Sequence, residues 1–317
     1  MIATGSFVEL LDRDYLSSFI REGGTAVKFL VPADDDIAAG FAERFSIAAK
    51  AAGYEVIVIN AAEVRVHQID QVYFAVARQL DWDALAEHAV RLALAKAGFG
   101  VAEDADVTIE SVARIHQIDP AELTRDINRQ LQEQVARDYR MAHEFRIAML
   151  RLCQARLASG QVTGAEHAAV LDWLRGDLRQ MSLLRSATIF RKLGRQNARP
   201  ALASVAHWLA VNGRGGLVIS LDIRRLGVAR RPAPEERQGL YYTKAALLDA
   251  YEMIRQLVDG TDELSHCLIV VVAAPEFVAD QVRGVAAYQA LKLRIYDEVR
   301  DRNRDNPSAS LVRLGAS

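Results

Sequence analysis

Four short runs of apolar residues constrain what this chain can fold into: TAVKFLV (25–31), YEVIVIN (54–60), GGLVISLD (215–222) and HCLIVVVAAP (266–275). Runs of this length without strict polar alternation, rich in Val and Ile, read as strands buried on both faces. Such strands belong to parallel sheets covered by helices. The first two runs are joined by an Ala-rich helical stretch, IAAGFAERFSIAAKAAG (37–53), with Gly53 as its stop. Strand, helix, strand in that compass is a βαβ unit with a right-handed crossover. A further helix is expected from about Asp70 to Leu80. The last two runs are joined by YYTKAALLDAYEMIRQLVDG (241–260), closed by Gly260, and a final helix is expected over 285–300.

Between these halves the chain shows no convincing strand. It reads as consecutive amphipathic helices with polar breaks near Gly98–Asp106, Ile118–Pro120, Ser159–Gly164 and Gly194–Pro200. The expected organisation is therefore one α/β core assembled from residues 1–80 and 213–317, with an all-helical insertion over 81–212.

Composition narrows the function classes. Hydrophobic residues make up 51% of the 317 and charged residues 25%, which is the balance of a globular chain and not of a disordered one. The formal charge of -2 provides no global basic field for nucleic acid. The two cysteines, Cys153 and Cys267, lie far apart among apolar neighbours and read as buried reduced thiols. The opening MIATGSFVELLDRD has no basic region ahead of an apolar run, and no apolar stretch nears the ~20 residues of a membrane span. A cytoplasmic protein with no membrane partner is expected.

An opening strand, a loop, a helix and a later strand ending in Asp form the skeleton of a P-loop NTPase. In that design a Gly-rich loop and the helix N-terminus cradle phosphates, a Lys neutralises them, and a Ser or Thr holds magnesium. Here the corresponding stretch is Val31-Pro32-Ala33-Asp34-Asp35-Asp36-Ile37-Ala38-Ala39, with no glycine before Gly40 and no lysine. Pro32 removes a donor, and Cβ atoms fill space that phosphates need. Three carboxylates also oppose a polyanion: one like-charge contact at ~4 Å costs about 1 kcal/mol in water and about 4 at an effective dielectric of 20. Asp34 to Asp36 suit a helix cap and first turn instead.

Taken in order, several segments resemble the BREX-system ATP-binding proteins of the BrxD type, P-loop proteins of bacterial anti-phage defence. They include GGTAVKFL (23–30), AAGYEVIVIN (51–60), DWLRGD (172–177), GRQNARPALASVAHWL (194–209), GGLVISLD (215–222) and AAPEFVAD (273–280). RGVAAYQALKLRI (283–295) and NPSASLVRL (306–314) complete the set. The resemblance implies an ASCE or AAA-like P-loop NTPase core with a helical insertion. It also implies which parts are gone. The phosphate-loop glycines fall on Pro32, Asp35 and Ile37, the lysine on Ala38 and the magnesium hydroxyl on Ala39. The Walker B aspartate is kept as Asp222, but the acidic residue after it is Ile223. The sensor at the end of the next strand reads Ala273-Ala274-Pro275, without a hydroxyl. Phosphoryl transfer depends on such groups for positioning and electrostatics. No catalytic residue, no metal site and no ATP or magnesium binding is expected.

Other segments carry weaker signals. ESVARIHQIDPAELTRDINRQL (110–131) has the cadence of a helix-turn-helix, with Thr124, Arg125, Asn128 and Arg129 facing outward and Gln117 where a turn glycine is usual; a plain helical hairpin is the favoured reading. Arg224, Arg225, Arg230, Arg231 and Arg237 crowd the segment after the Asp222 strand, where an acidic partner or a nucleic-acid backbone would find them. By analogy with ring ATPases, Arg283 or Arg294 would reach a neighbouring subunit's nucleotide. The seven histidines show no zinc spacing. The function expected is a catalytically inactive ATPase-like subunit that binds protein partners of a defence assembly, such as an active ATPase paralogue. The alternatives are a DNA-binding protein acting through 110–131, or an ATP-binding protein with an atypical loop.

Overall fold

The computed structural model describes residues 1–229, 239–296 and 306–316, and it separates into two compact units. The first comprises Met1–Val76 and Val205–Ser317, the second Ala77–Ser204.

The first unit is built on a six-stranded sheet in which every pairing is parallel. Its strands are β1 (Ile2–Ala3), β2 (Thr25–Pro32), β3 (Tyr54–Asn60), β4 (Gly216–Asp222), β5 (Cys267–Val272) and β6 (Leu311–Gly315), in the order β1-β6-β2-β5-β4-β3. The four apolar runs supply the four inner and outer strands from β2 to β5, and β4 and β5 are buried along almost their whole length. Register places Leu30, Val272 and Asp222 in one row near the C-terminal edge.

One face of the sheet is covered by α1 (Thr4–Leu10), by the π-helical turn that continues it over Leu11–Phe19, and by α2 (Asp35–Ala51). Phe7, Phe41 and Phe45 stack in sequence there, with centroids 6.3 and 5.3 Å apart, above Leu30, Leu268 and Val270. The Tyr54 hydroxyl donates to the Leu16 carbonyl at 2.6 Å, which fixes the π-helical turn to the start of β3. On the other face Phe29 stacks on Phe277 at 6.0 Å, and Tyr251 meets Phe277 edge-on. Gly216 opens β4 at φ 128°, where an added Cβ would lie 2.2 Å from the His266 carbonyl oxygen, so only glycine lets β4 approach β5 there.

Two local expectations change. The final helix is shorter than the 285–300 read from sequence: a single 3-10 turn at Val285–Ala287 precedes a seven-residue helix, Gln289–Ile295. Residues 297–300 lie outside those described. β6, which sequence reading left unassigned, pairs with both β1 and β2. The buried Lys28 prepares its entry, donating to the carbonyls of Ser308 (2.6 Å) and Ala309 (3.0 Å).

The second unit is helical among its described residues. Its helices include Trp82–Lys96, Ile109–His116, Pro120–Leu131, His143–Arg156 and Gly164–Arg175. Trp82 meets Phe145 edge-on at 6.1 Å, and the indole N–H donates to the Ala77 carbonyl at 2.8 Å. Asp81, Thr108, Asp119 and Thr163 each cap a helix N-terminus through a side-chain oxygen. From Gly176 to Asn197 the chain is irregular apart from one 3-10 turn, Met181–Leu184, although the sequence reading placed a break only from Gly194 on. Cys153 and Cys267 are free and buried, and burial pushes both thiols up to about 12. No helix among the described residues is long and apolar enough to cross a membrane.

Candidate functional site

The C-terminal edge of a parallel sheet gathers the ends of separate strands, and ligands of such folds usually bind there. In the first unit this edge brings together the turn after β2, the end of β4 and the end of β5. The stretch 31–39, at the phosphate-loop position, is almost entirely regular, with Asp34 to Asp36 as the expected helix cap and first turn. β2 runs through Pro32 and α2 begins at Asp35, so only Ala33 and Asp34 connect them.

Three backbone N–H groups in and just after that connection, those of Ala33, Ile37 and Ala38, have partners. The Ala33 N–H donates to the Leu314 carbonyl of β6 at 3.0 Å. Asp34 is the N-cap: its carboxylate accepts the Ile37 N–H at 2.8 Å, and its carbonyl accepts the Ala38 N–H at 3.1 Å. Ala38 is buried beneath the turn and Ala39 is exposed. Asp35 and Asp36 occupy the first turn, where negative charge complements the helix dipole.

Arg224 dominates the electrostatics of this edge. Its Nε lies 3.1 Å from both carboxylate oxygens of Asp222, one guanidinium nitrogen donates to Asp222 at 2.6 Å, and its backbone N–H adds a fourth bond at 3.0 Å. The other guanidinium nitrogen reaches Asp35. Because β5 lies between β2 and β4, the pair must span two strand spacings, about 9.6 Å. An extended arginine and an aspartate together have that reach. The Asp222 hydrogen bond, then its charge and that of Asp35, raise the Arg224 guanidinium above its ordinary value. Asp222 is 18% exposed and Asp35 94%, so the inner half of the network is the stronger.

The flanking space is divided by a short helix, Glu276–Ala279. On one side, a cavity of ≈ 10 Å³ lined by Ile223, Arg224, Leu226, Ala274 and Arg283 has room for about one water molecule. Ile223 is buried, and its N–H donates to the Val272 carbonyl at 2.8 Å. On the other side an open cleft of ≈ 530 Å³ is lined by Val31, Pro32, Ala33, Pro275, Val278 and Arg313. Two of those six are prolines, which offer no N–H, and Arg313 is the cation among them.

The remaining sequence candidates separate. Arg225 donates to the Leu240 carbonyl at 2.7 Å, while Arg230, Arg231 and Arg237 lie outside the described residues. Arg283 is buried and donates to the carbonyls of Leu226 and Tyr242, both at 2.9 Å, so it does not project toward a neighbouring subunit. Arg294 pairs with Asp259. The hairpin at 110–131 forms, with Gln117 in the left-handed region at φ 55° and Asp119 capping the second helix. Two of its four outward side chains turn back, however. The Thr124 hydroxyl donates to the Pro120 carbonyl at 2.7 Å, and the Asn128 oxygen accepts from Gln154 at 3.2 Å. Arg129 pairs with Asp126, and Arg125 is exposed. No signal in the sequence pointed to a partner for Asp35, since 189 positions separate it from Arg224.

Fold and edge together define an α/β protein on a six-stranded parallel sheet, compatible with an ATP-binding α/β fold. The chain belongs to the BREX system ATP-binding protein BrxC/D family, whose model matches residues 39–316. Membership assigns it to a multi-component phage-defence system. The matched span begins just beyond the β2–α2 turn, so that turn lies outside it. No curated protein and no solved structure matches the chain.

Proposed function

We propose that this chain is a catalytically silent member of its family: a P-loop NTPase scaffold of the ASCE or AAA-like type that serves a defence assembly as a protein-binding subunit. The strand order supports the scaffold reading, because one strand separates the strand before the phosphate-loop position from the strand that ends in the Walker B-like Asp222. The observation that carries the silent reading is the network Asp35–Arg224–Asp222 above a two-residue turn. A triphosphate needs several converging amides, a lysine and a hydroxyl. The residues present do not fit that group. The turn is too short to wrap it, Ala38 and Ala39 stand at the lysine and hydroxyl positions, and the cation at this edge, Arg224, is already paired with Asp35 and Asp222.

The protein-binding role rests on the family's place in a multi-component system and on a retained scaffold without its chemistry. An active ATPase of the same family is the first partner to test. Thermal melting with and without millimolar Mg·ATP checks the silent half. A ligand at about 100 times its Kd stabilises by about 2.7 kcal/mol, so an upward shift of several degrees would overturn it. No shift is expected. Co-elution with an active family member from a sizing column checks the other half.

A further inference from the structure

The irregular segment of the helical unit carries a charge concentration that the chain as a whole hides. Residues 175–199 hold seven Lys and Arg against one acid, Asp177, while the full chain sums to -2. The segment is anchored on its inner side. Leu184, Ala187, Ile189 and Leu193 are buried and face inward. Its backbone is pinned from below: the Trp173 indole donates to the Arg191 carbonyl at 2.8 Å, and Arg151 donates to the Ser186 carbonyl at 2.8 Å. The buried Glu166 accepts from the Ser186 hydroxyl at 2.9 Å and pairs with Arg151. Thr188 holds a left-handed conformation, φ 59°, which turns the chain sharply between Arg185 and Phe190.

This anchoring leaves Arg185, Arg191 and Lys192 exposed beside Phe190, which is 70% exposed, with Leu183 at 50%. Arg185 and Lys192 have no carboxylate at ion-pair distance among the described residues, and Arg191 has one loose contact, 3.7 Å, to Glu144. The exposed Phe190 and Leu183 lie within this same basic stretch. Interleaved with cations on a rigid support, Phe190 forms a stacking platform within a polyanion-attracting field. The 110–131 hairpin lacks that combination, because Asp126 neutralises Arg129 and no aromatic stands beside Arg125.

We infer that the 175–199 segment is a binding surface for single-stranded nucleic acid, with Arg185, Arg191 and Lys192 on the phosphates and Phe190 stacked on a base. The inference stands apart from the nucleotide-site reading, and its test involves no ATP. Fluorescence anisotropy of the full chain with a labelled 20-nucleotide oligothymidylate is the measurement. Three phosphate contacts at about -0.7 each give a log–log salt slope of about -2. Phe190→Ala weakens binding about ten-fold, and Arg185→Glu with Lys192→Glu abolishes it at ~0.1 M salt. Arg125→Ala with Arg129→Ala leaves it unchanged. These side chains are exposed, so circular dichroism and melting of the variants match the parent. Four results would overturn the inference: no binding at low salt, binding indifferent to Phe190 with duplex held equally well, displacement of the oligonucleotide by polyglutamate at lower concentration than by unlabelled oligothymidylate, or loss of binding in the Arg125/Arg129 variant.

Discussion

Arg224 and Asp35, 189 positions apart, pair across the end of β5, while the same guanidinium grips Asp222. The two acidic residues therefore differ in what they hold. Asp222 accepts several N–H groups from Arg224 and is largely buried; Asp35 accepts one nitrogen in open solvent. Arg224→Ala is expected to cost about 1 kcal/mol by urea unfolding, most of it from the Asp222 side. Arg224→Lys does not restore it, because a lysine ammonium cannot reproduce the multidentate guanidinium grip on Asp222. Asp35→Asn is expected to leave stability unchanged within error.

Asp34 is a cap and not a metal ligand in this account. Asp34→Ala should cost about 1 kcal/mol, the usual loss when an N-cap oxygen is removed. Asp34→Ser should recover most of it, which a magnesium ligand would not allow. Chemical denaturation with and without magnesium decides between the two.

Arg283 acts through structure. Its guanidinium satisfies the carbonyls of Leu226 and Tyr242, and the Tyr251 hydroxyl donates to its own carbonyl at 2.6 Å. Arg283→Ala leaves buried acceptors unpaired and should destabilise by about 2–3 kcal/mol. The check is the unfolding midpoint of the isolated chain, since a residue acting on a neighbouring subunit would leave that midpoint in place.

A carboxylate cluster sets the acid limb of stability. Glu252 accepts from Arg255 (2.7 Å), Tyr288 (2.6 Å) and Gln256 (2.8 Å). The Arg255 hydrogen bond above all holds Glu252 down, to about 2 from an ordinary 4.5. A depressed carboxylate contributes stability that is complete above its unfolded value and disappears as pH falls from about 4.5 toward 2. With a third of the side chain exposed, solvent screening limits this to about 1 kcal/mol. Glu252→Gln should flatten that part of the pH–stability curve and change little at pH 7 beyond the same amount.

The sequence made the sheet legible where burial left a signature. β4 and β5 are continuous apolar runs, the signature of a parallel sheet covered on both faces, whereas β3 carries Glu55 and an exposed Val58. β6 left no such trace: LVRLG is short, carries the exposed Arg313, and is paired because β1 and β2 flank it. At the site, the cap at Asp34 was readable from the sequence. The length of the turn was not, since three aspartates suit a loop as well as a first helical turn. Nor was the Asp35–Arg224 contact, which exists only once β2 and β4 lie on either side of β5. The basic segment at 175–199 was present in the sequence but diluted, its cations spaced among apolar anchors and offset by acidic residues elsewhere.

Isothermal titration of the purified chain with ATP in excess magnesium tests the central claim most directly. With the β2–α2 turn too short to cradle phosphates and Arg224 spent on Asp35 and Asp222, no saturable heat is expected up to about 1 mM nucleotide, equivalent to a binding free energy weaker than about -4.1 kcal/mol. A saturable isotherm at micromolar concentration, lost when Asp222 is replaced by Asn, would contradict the account and make this chain a working nucleotide binder.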